Sequence, residues 1–149
     1  MKETQEQLQR RNDLDNGGKL KFKKLCKKFN LEFEEMLERF ADYDFLLFYK
    51  GKKFIVEVKD RDAIYANYDS IMFEDEKYQK LIKDIEKEQV NGAYYITFIN
   101  NLAYIYFIPL IIPYKKCKIN ANKKTYMSDE KIEKEVFFLP KNDLKIIEI

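Results

Sequence analysis

Asp44 to Lys59 reads D-F-L-L-F-Y-K-G-K-K-F-I-V-E-V-K. Two apolar, aromatic runs, Phe45–Tyr49 and Phe54–Val58, flank Lys50-Gly51, a turn signal, so the stretch is expected to form an antiparallel hairpin. A turn centred on Lys50-Gly51 with an even number of loop residues pairs Tyr49 with Lys52. The same register carries Asp44 opposite Glu57. Residues so paired hold their Cβ atoms roughly 4.5–5.5 Å apart, and two carboxylates at that distance repel unless a cation lies between them. Lys59, two positions beyond Glu57, falls on the same face. Two acids and one amine at one end of an apolar hairpin read as a divalent-cation site with a lysine beside it. A three-residue loop would send the two acids to opposite faces.

Phe54, Val56 and Val58 fill one face of the second strand, and Ile55 is apolar on the other. The strand is therefore expected to be central in an α/β sheet, with Glu57 and Lys59 buried. Burying them costs several kcal/mol unless they are paired or metal-bound. The other reading is a charged, exposed strand face. Asp42 has the parity of Asp44 and is its rival, but its register with Glu57 fails.

The chain has 149 residues, 46% hydrophobic and 15% aromatic. That predicts one folded domain over residues 1–149. Net charge is only +2, so basicity is local. The two cysteines, Cys26 and Cys117, fit no metal spacing and are expected to be free thiols in a reducing compartment. No apolar run reaches the length of a membrane span and the N-terminus is charged, so a cytoplasmic protein without membrane association is expected. The sequence contains no histidine. Ser-His and Cys-His triads and histidine-based zinc sites are thereby excluded, leaving carboxylates, lysine and a metal for any hydrolysis.

Residues 1 to about 17 read as a polar arm, either an exposed helix or a frayed segment, broken by Gly17-Gly18. Lys19 to Phe29 is expected to be an amphipathic helix carrying Lys19, Lys21, Lys23, Lys24, Lys27 and Lys28, six lysines in ten residues. Lys19, Lys23, Lys24, Lys27 and Lys28 are candidate phosphate contacts, against the plainer reading of a solvated helix face. Asn30 is a suitable N-cap for a further helix, Leu31 to about Phe40. Beyond the hairpin, Asp60–Phe73 is a polar stretch with scattered tyrosines. Glu74 to about Gln89 is expected to be a helix burying Tyr78, Leu81, Ile82 and Ile85, ended by Asn91-Gly92. Gln79 borders that stripe, about 60° from Ile82. Ala93–Ile99 and Ala103–Ile108 read as strands, residues 114–127 as a basic loop, Ser128 as the cap of a short helix, and Val136–Leu139 and Leu144–Ile149 as strand-like ends.

An Asp opening one strand, a short hairpin and E-x-K on the next strand is the signature of PD-(D/E)xK nucleases. Here it stands as Tyr43-Asp44, twelve residues, then Glu57-Val58-Lys59, with Tyr43 where the family often has Pro. The helix E-D-E-K-Y-Q-K-L-I-K-D-I, the strand G-A-Y-Y-I-T-F-I and the run A-Y-I-Y-F-I-P follow in order. Over roughly Ala41 to Lys116 this resembles the Holliday-junction resolvases of Gram-positive bacteria.

The resemblance implies a restriction-endonuclease-like core, an α/β mixed sheet of four to five strands flanked by helices. It also implies Mg²⁺ or Mn²⁺ on Asp44, Glu57 and the Val58 carbonyl, with no organic cofactor. Lys59 would be catalytic, Gln79 would orient water or a phosphate at the site's edge, and DNA would be cut to leave a 5′-phosphate, by a homodimer. A glutamate before the hairpin often completes the metal shell. Glu34, Glu35 and Glu38 are candidates, Glu38 lying nearest the hairpin. Phe22 stands where the resolvases usually carry an early Glu. Branched DNA is the favoured substrate. The alternatives are a restriction-type duplex endonuclease and a non-catalytic nucleic-acid-binding or protein-interaction module.

Overall fold

The computed structural model describes residues 4–37, 42–122 and 131–149. Its main sheet has six strands in the order β1 (Glu32–Glu35), β2 (Phe45–Tyr49), β3 (Lys52–Arg61), β5 (Gly92–Ile99), β6 (Leu102–Phe107) and β9 (Lys145–Glu148). β3 and β5 are parallel, and every other neighbouring pair is antiparallel. The crossover joining the parallel pair holds a 3₁₀ turn (Ala63–Asn67), β4 (Ser70–Glu74) and helix α2 (Asp75–Glu88). A second sheet sets β8 (Lys131–Pro140) between β4 and β7 (Lys116–Asn122).

The two faces of β3 bury different layers. Phe54, Val56 and Val58 pack against helix α1 (Gln5–Lys28) through Phe22, Leu25 and Cys26. Ile55 faces the opposite layer, where Tyr78 and Leu81 of α2 meet Phe73 and Leu139 of the second sheet. Phe73 stacks on Tyr95 at 4.4 Å between centroids, which ties the second sheet to the first. A mixed α/β sheet between helices is the expected class, and β2-β3-β5-β6 is its core. The sheet has six strands where four or five were expected, because β1 and β9 extend its two edges.

Three local expectations are corrected. The first helix does not break at Gly17-Gly18 but runs unbroken over Gln5–Lys28, so residues 5–17 belong to it and are not a frayed arm. Those glycines lie where the helix meets β3: a Cβ on Gly17 would come within 2.7 Å of Asp60 Oδ2. They serve close approach rather than a break. The helix expected from Leu31 is instead β1. Asn30, at φ 52°, closes α1, with the Leu31 N–H donating to the Cys26 carbonyl at 2.8 Å. The chain then alternates, and Phe33 packs edge-on against both Phe22 and Phe45, which touch each other. The expected basic loop is, over Lys116–Asn122, strand β7. Lys116 and Lys118 point outward there, each 3.5 Å from a glutamate of β8, Glu135 and Glu133. Residues 123–127 of that loop and the Ser128 cap lie outside the described residues.

Candidate active site

Lys50 and Gly51 adopt φ values of 50° and 76°. Two left-handed residues make the tight hairpin turn whose twist suits the strands. Tyr49 accordingly pairs with Lys52 and Phe45 with Val56, the expected register. One step beyond that ladder lie Asp44 and Glu57. The Asp44 N–H donates to the Val56 carbonyl at 3.0 Å. Its carboxylate accepts from the Val58 N–H at 2.9 Å. β2 ends here, so the edge of β3 at Val58 is open. A strand residue's N–H and C=O point to the same side, so the Val58 carbonyl faces the same gap.

Glu57 is buried, only 7% exposed. Burial and the neighbouring Asp44 charge push its carboxyl up to about 7, although Lys77 and Lys59 act in the opposite direction. Burial also raises the Asp44 carboxyl, opposed by the Val58 N–H and by Lys19, Lys77 and Lys59. Asp44 disfavours the ionisation of Glu57, and the positive charges of Lys19, Lys59 and Lys77 act on the two carboxylates, a balance that favours a phosphate at the gap.

Sequence reasoning missed Lys77. It projects from the first turns of α2 and sets its Nζ 3.0 Å from Glu57 Oε1. Burial works against its charge, but Glu57 and Asp44 outweigh that and raise its pKa. Gln79 is not brought to the carboxylates: it is exposed, with its amide 3.4 Å from Asp75 of its own helix. Lys59 shares the face of Glu57 but is exposed rather than buried, so the expectation of a buried lysine is corrected. Asp42 turns away to Lys80 at 3.1 Å.

Glu35 pairs with Lys23 of α1 at 2.8 Å, on the layer away from the site. Glu34 is exposed, and Glu38 lies outside the described residues. Among the described residues no group of three or more acids, cysteines or histidines could hold a metal. Among the described residues the hard oxygen donors at the gap are the Asp44 and Glu57 carboxylates and the Val58 carbonyl. They fit Mg²⁺, which is typically held by one or two carboxylates plus water and substrate phosphate.

The candidate phosphate-binding lysines divide. Lys19 acts on Asp44. Lys23 is taken up by Glu35, and Lys28 donates to the Glu148 carbonyl at 2.5 Å. Lys24 and Lys27 are exposed, with no ion pair among the described residues. Cys26 is a buried free thiol and Cys117 is also free. No helix among the described residues is long and apolar enough to cross a membrane.

No family model matches the chain, and no curated protein does. Among solved structures the chain is similar to the 1.6 Å structure of Hjc, a Holliday junction resolvase from the archaeal hyperthermophile Archaeoglobus fulgidus. The TM-score is 0.49 and the identity 11%, over 83% of this chain and 91% of that one.

Proposed function

We propose that the chain is a metal-dependent DNA endonuclease that hydrolyses phosphodiester bonds, with branched DNA such as Holliday junctions as its substrate and a homodimer as its working form. The observation that carries this reading is the convergence of Asp44 and Glu57 across the end of the β2–β3 pair, with the Glu57 carboxyl held up by burial and by Asp44. The Y-D…E-V-K motif and the order of elements after it support it.

Asp44, Glu57 and the Val58 carbonyl would hold Mg²⁺ or Mn²⁺. A divalent cation there supplies Lewis-acid polarisation of the phosphoryl oxygen and acidifies the attacking water. Lys59, two residues along the strand and open to solvent, would position that water and take part in its deprotonation, or neutralise charge on the phosphorane. Lys19 and Lys77 would add positive field on the scissile phosphate.

Cleavage of junction, flap, duplex and single-stranded DNA at equal concentration, in Mg²⁺ and in EDTA, tests the reading. Cleavage in Mg²⁺ that disappears in EDTA and in Lys59→Ala is expected, with the junction cut fastest. DNA binding by that variant should stay within a few-fold, since affinity is spread over many lysines. A restriction-type enzyme would favour duplex instead.

One observation favours a second reading, a DNA-binding module without catalysis. Lys77 already supplies Glu57 with a cation at 3.0 Å, and no third acid is in place among the described residues. DNA binding with no cleavage of any substrate in Mg²⁺ or Mn²⁺ would select it.

A further inference from the structure

β3 leaves the candidate site carrying Arg61, then enters the 3₁₀ turn Ala63–Asn67. None of that turn's residues is buried. Ile64 is 57% exposed, Tyr65 41% and Tyr68 56%. Large apolar side chains on a short connection commonly fold inward to cover a core. Here the backbone holds them outward. Asp62 caps the turn, accepting from the Ile64 N–H at 3.1 Å. Lys141 Nζ donates to the Tyr65 carbonyl at 2.9 Å while lying over the Tyr104 ring. The Arg61 guanidinium lies 5.8 Å from the centre of the Tyr65 ring, and the neighbouring Tyr95 and Tyr65 favour its charged form against burial. Tyr95 is the partner of Glu57 on the neighbouring strand. The turn is thus held by its own cap, by Lys141 and by Arg61 at the end of the strand that carries the site, while Tyr65 and Tyr68 stay exposed.

We infer that Tyr65 and Tyr68 form a stacking platform for unpaired nucleobases of the strand whose phosphates pass Lys59 and Lys77. The two rings lie 5.7 Å apart and 45° from coplanar, so they form a bent surface. That shape suits bases splayed apart better than the closed stack of a duplex. Aromatic rings hold single-stranded bases because each base freed from pairing exposes a π face, and neighbouring arginine strengthens the contact. A base pair inside B-DNA offers no such face. From Glu57 to Arg61 is about 13 Å at about 3.3 Å per strand residue, a span of only a few nucleotides. The inference rests on the nuclease reading for its choice of ligand, and makes the substrate DNA with unpaired bases beside the cut.

The test measures binding by the full chain in EDTA, so that nothing is cleaved. The probes are a short single strand carrying 2-aminopurine and a blunt duplex of the same length. Parent protein should quench the 2-aminopurine. Tyr65→Ala/Tyr68→Ala should abolish the quenching and weaken single-strand affinity by about tenfold or more. Its affinity for the duplex should change less than twofold. Tyr65→Phe/Tyr68→Phe, which keeps the rings, should behave as parent. Equal losses on both probes would overturn the platform. So would unchanged affinity for both, the outcome if the turn serves a protein partner. Absence of cleavage in Mg²⁺, with quenching intact, would count against the nuclease reading and leave the platform standing.

Discussion

Lys77 Nζ lies 3.0 Å from Glu57 Oε1, reaching from α2 in the crossover back to β3, the strand that precedes it. An ammonium thereby occupies part of the space in which a cation on Glu57 would sit. Lysine and metal compete for one carboxylate, and the consequence is measurable. Lys77→Met leaves Glu57 buried next to Asp44 without its nearest cation. Removing one member of a buried pair costs about 3–5 kcal/mol, less here because Glu57 can take up a proton instead. The variant should melt several degrees below parent at pH 8 and come close to it at pH 5. Added Mg²⁺ should stabilise it more than it stabilises parent. A melting temperature equal to parent at pH 8 would remove Lys77 from the site.

The Glu57 carboxyl gives a pH dependence of defined sign. Its pKa rises from 4.5 to about 7 on folding, by burial first and Asp44 second. The folded state therefore binds more protons between those values. The stability from this group is fully present below about pH 4.5 and lost as pH rises through about 7. Such a shift corresponds to roughly 3 kcal/mol. Glu57→Gln cannot titrate. In thermal melts without metal, the variant should gain on parent steadily from pH 5 to pH 8. A constant difference between the two proteins would mean that Glu57 titrates as an ordinary glutamate.

The hairpin was legible because its information is local. Lys50-Gly51 sets the turn, and alternation of two apolar runs sets the faces, so Asp44 and Glu57 follow by counting. Lys77 was not legible for a geometric reason. It and Gln79 flank the apolar stripe of α2 on opposite sides, about 90° and about 110° from its centre at 100° per residue. Sequence alone does not say which flank turns toward the carboxylates. That depends on how the crossover lays α2 over the sheet. β1 was misread for a related reason. Leu31, Glu34, Glu35 and Glu38 match helical spacing, but the contacts that decide the matter come from Phe22 and Phe45, distant in sequence. Gly17-Gly18 carries the same ambiguity, since glycine marks both a break and a close approach, and only the position of β3 distinguishes them.

The α1 lysines should separate by salt dependence. Lys24 and Lys27 are exposed, whereas Lys23 and Lys28 are held by Glu35 and the Glu148 carbonyl. Lys24→Gln/Lys27→Gln should reduce the slope of log affinity against log salt by about 0.9 for each phosphate no longer neutralised. Lys23→Gln/Lys28→Gln should change the slope less. It should instead lower the melting temperature slightly, as expected for losing one partly exposed ion pair, worth about 0.2–1 kcal/mol, and one exposed hydrogen bond to a backbone carbonyl. Equal slopes for parent and both double variants would make this helix a solvated face with no role in binding DNA.

A divalent cation should be felt by the folded protein even without DNA. Asp44 and Glu57 each raise the free energy of ionising the other in the buried gap beyond β2, and a cation bound to both relieves that. Binding only to the folded state stabilises by about 2.7 kcal/mol at a hundredfold excess over Kd. For a chain of this size that is a rise of several degrees in melting temperature. Asp44→Asn keeps an oxygen to accept from the Val58 N–H and removes the repulsion. Without metal it should melt at or above the parent temperature. With Mg²⁺ or Mn²⁺ it should lose the shift, because Glu57 alone, already paired with Lys77, is a poor ligand set. A differential scan of both proteins across metal concentration reads both effects. If parent and variant shift equally, the cation is bound elsewhere, and the two-carboxylate centre at the end of β2 and β3 is wrong.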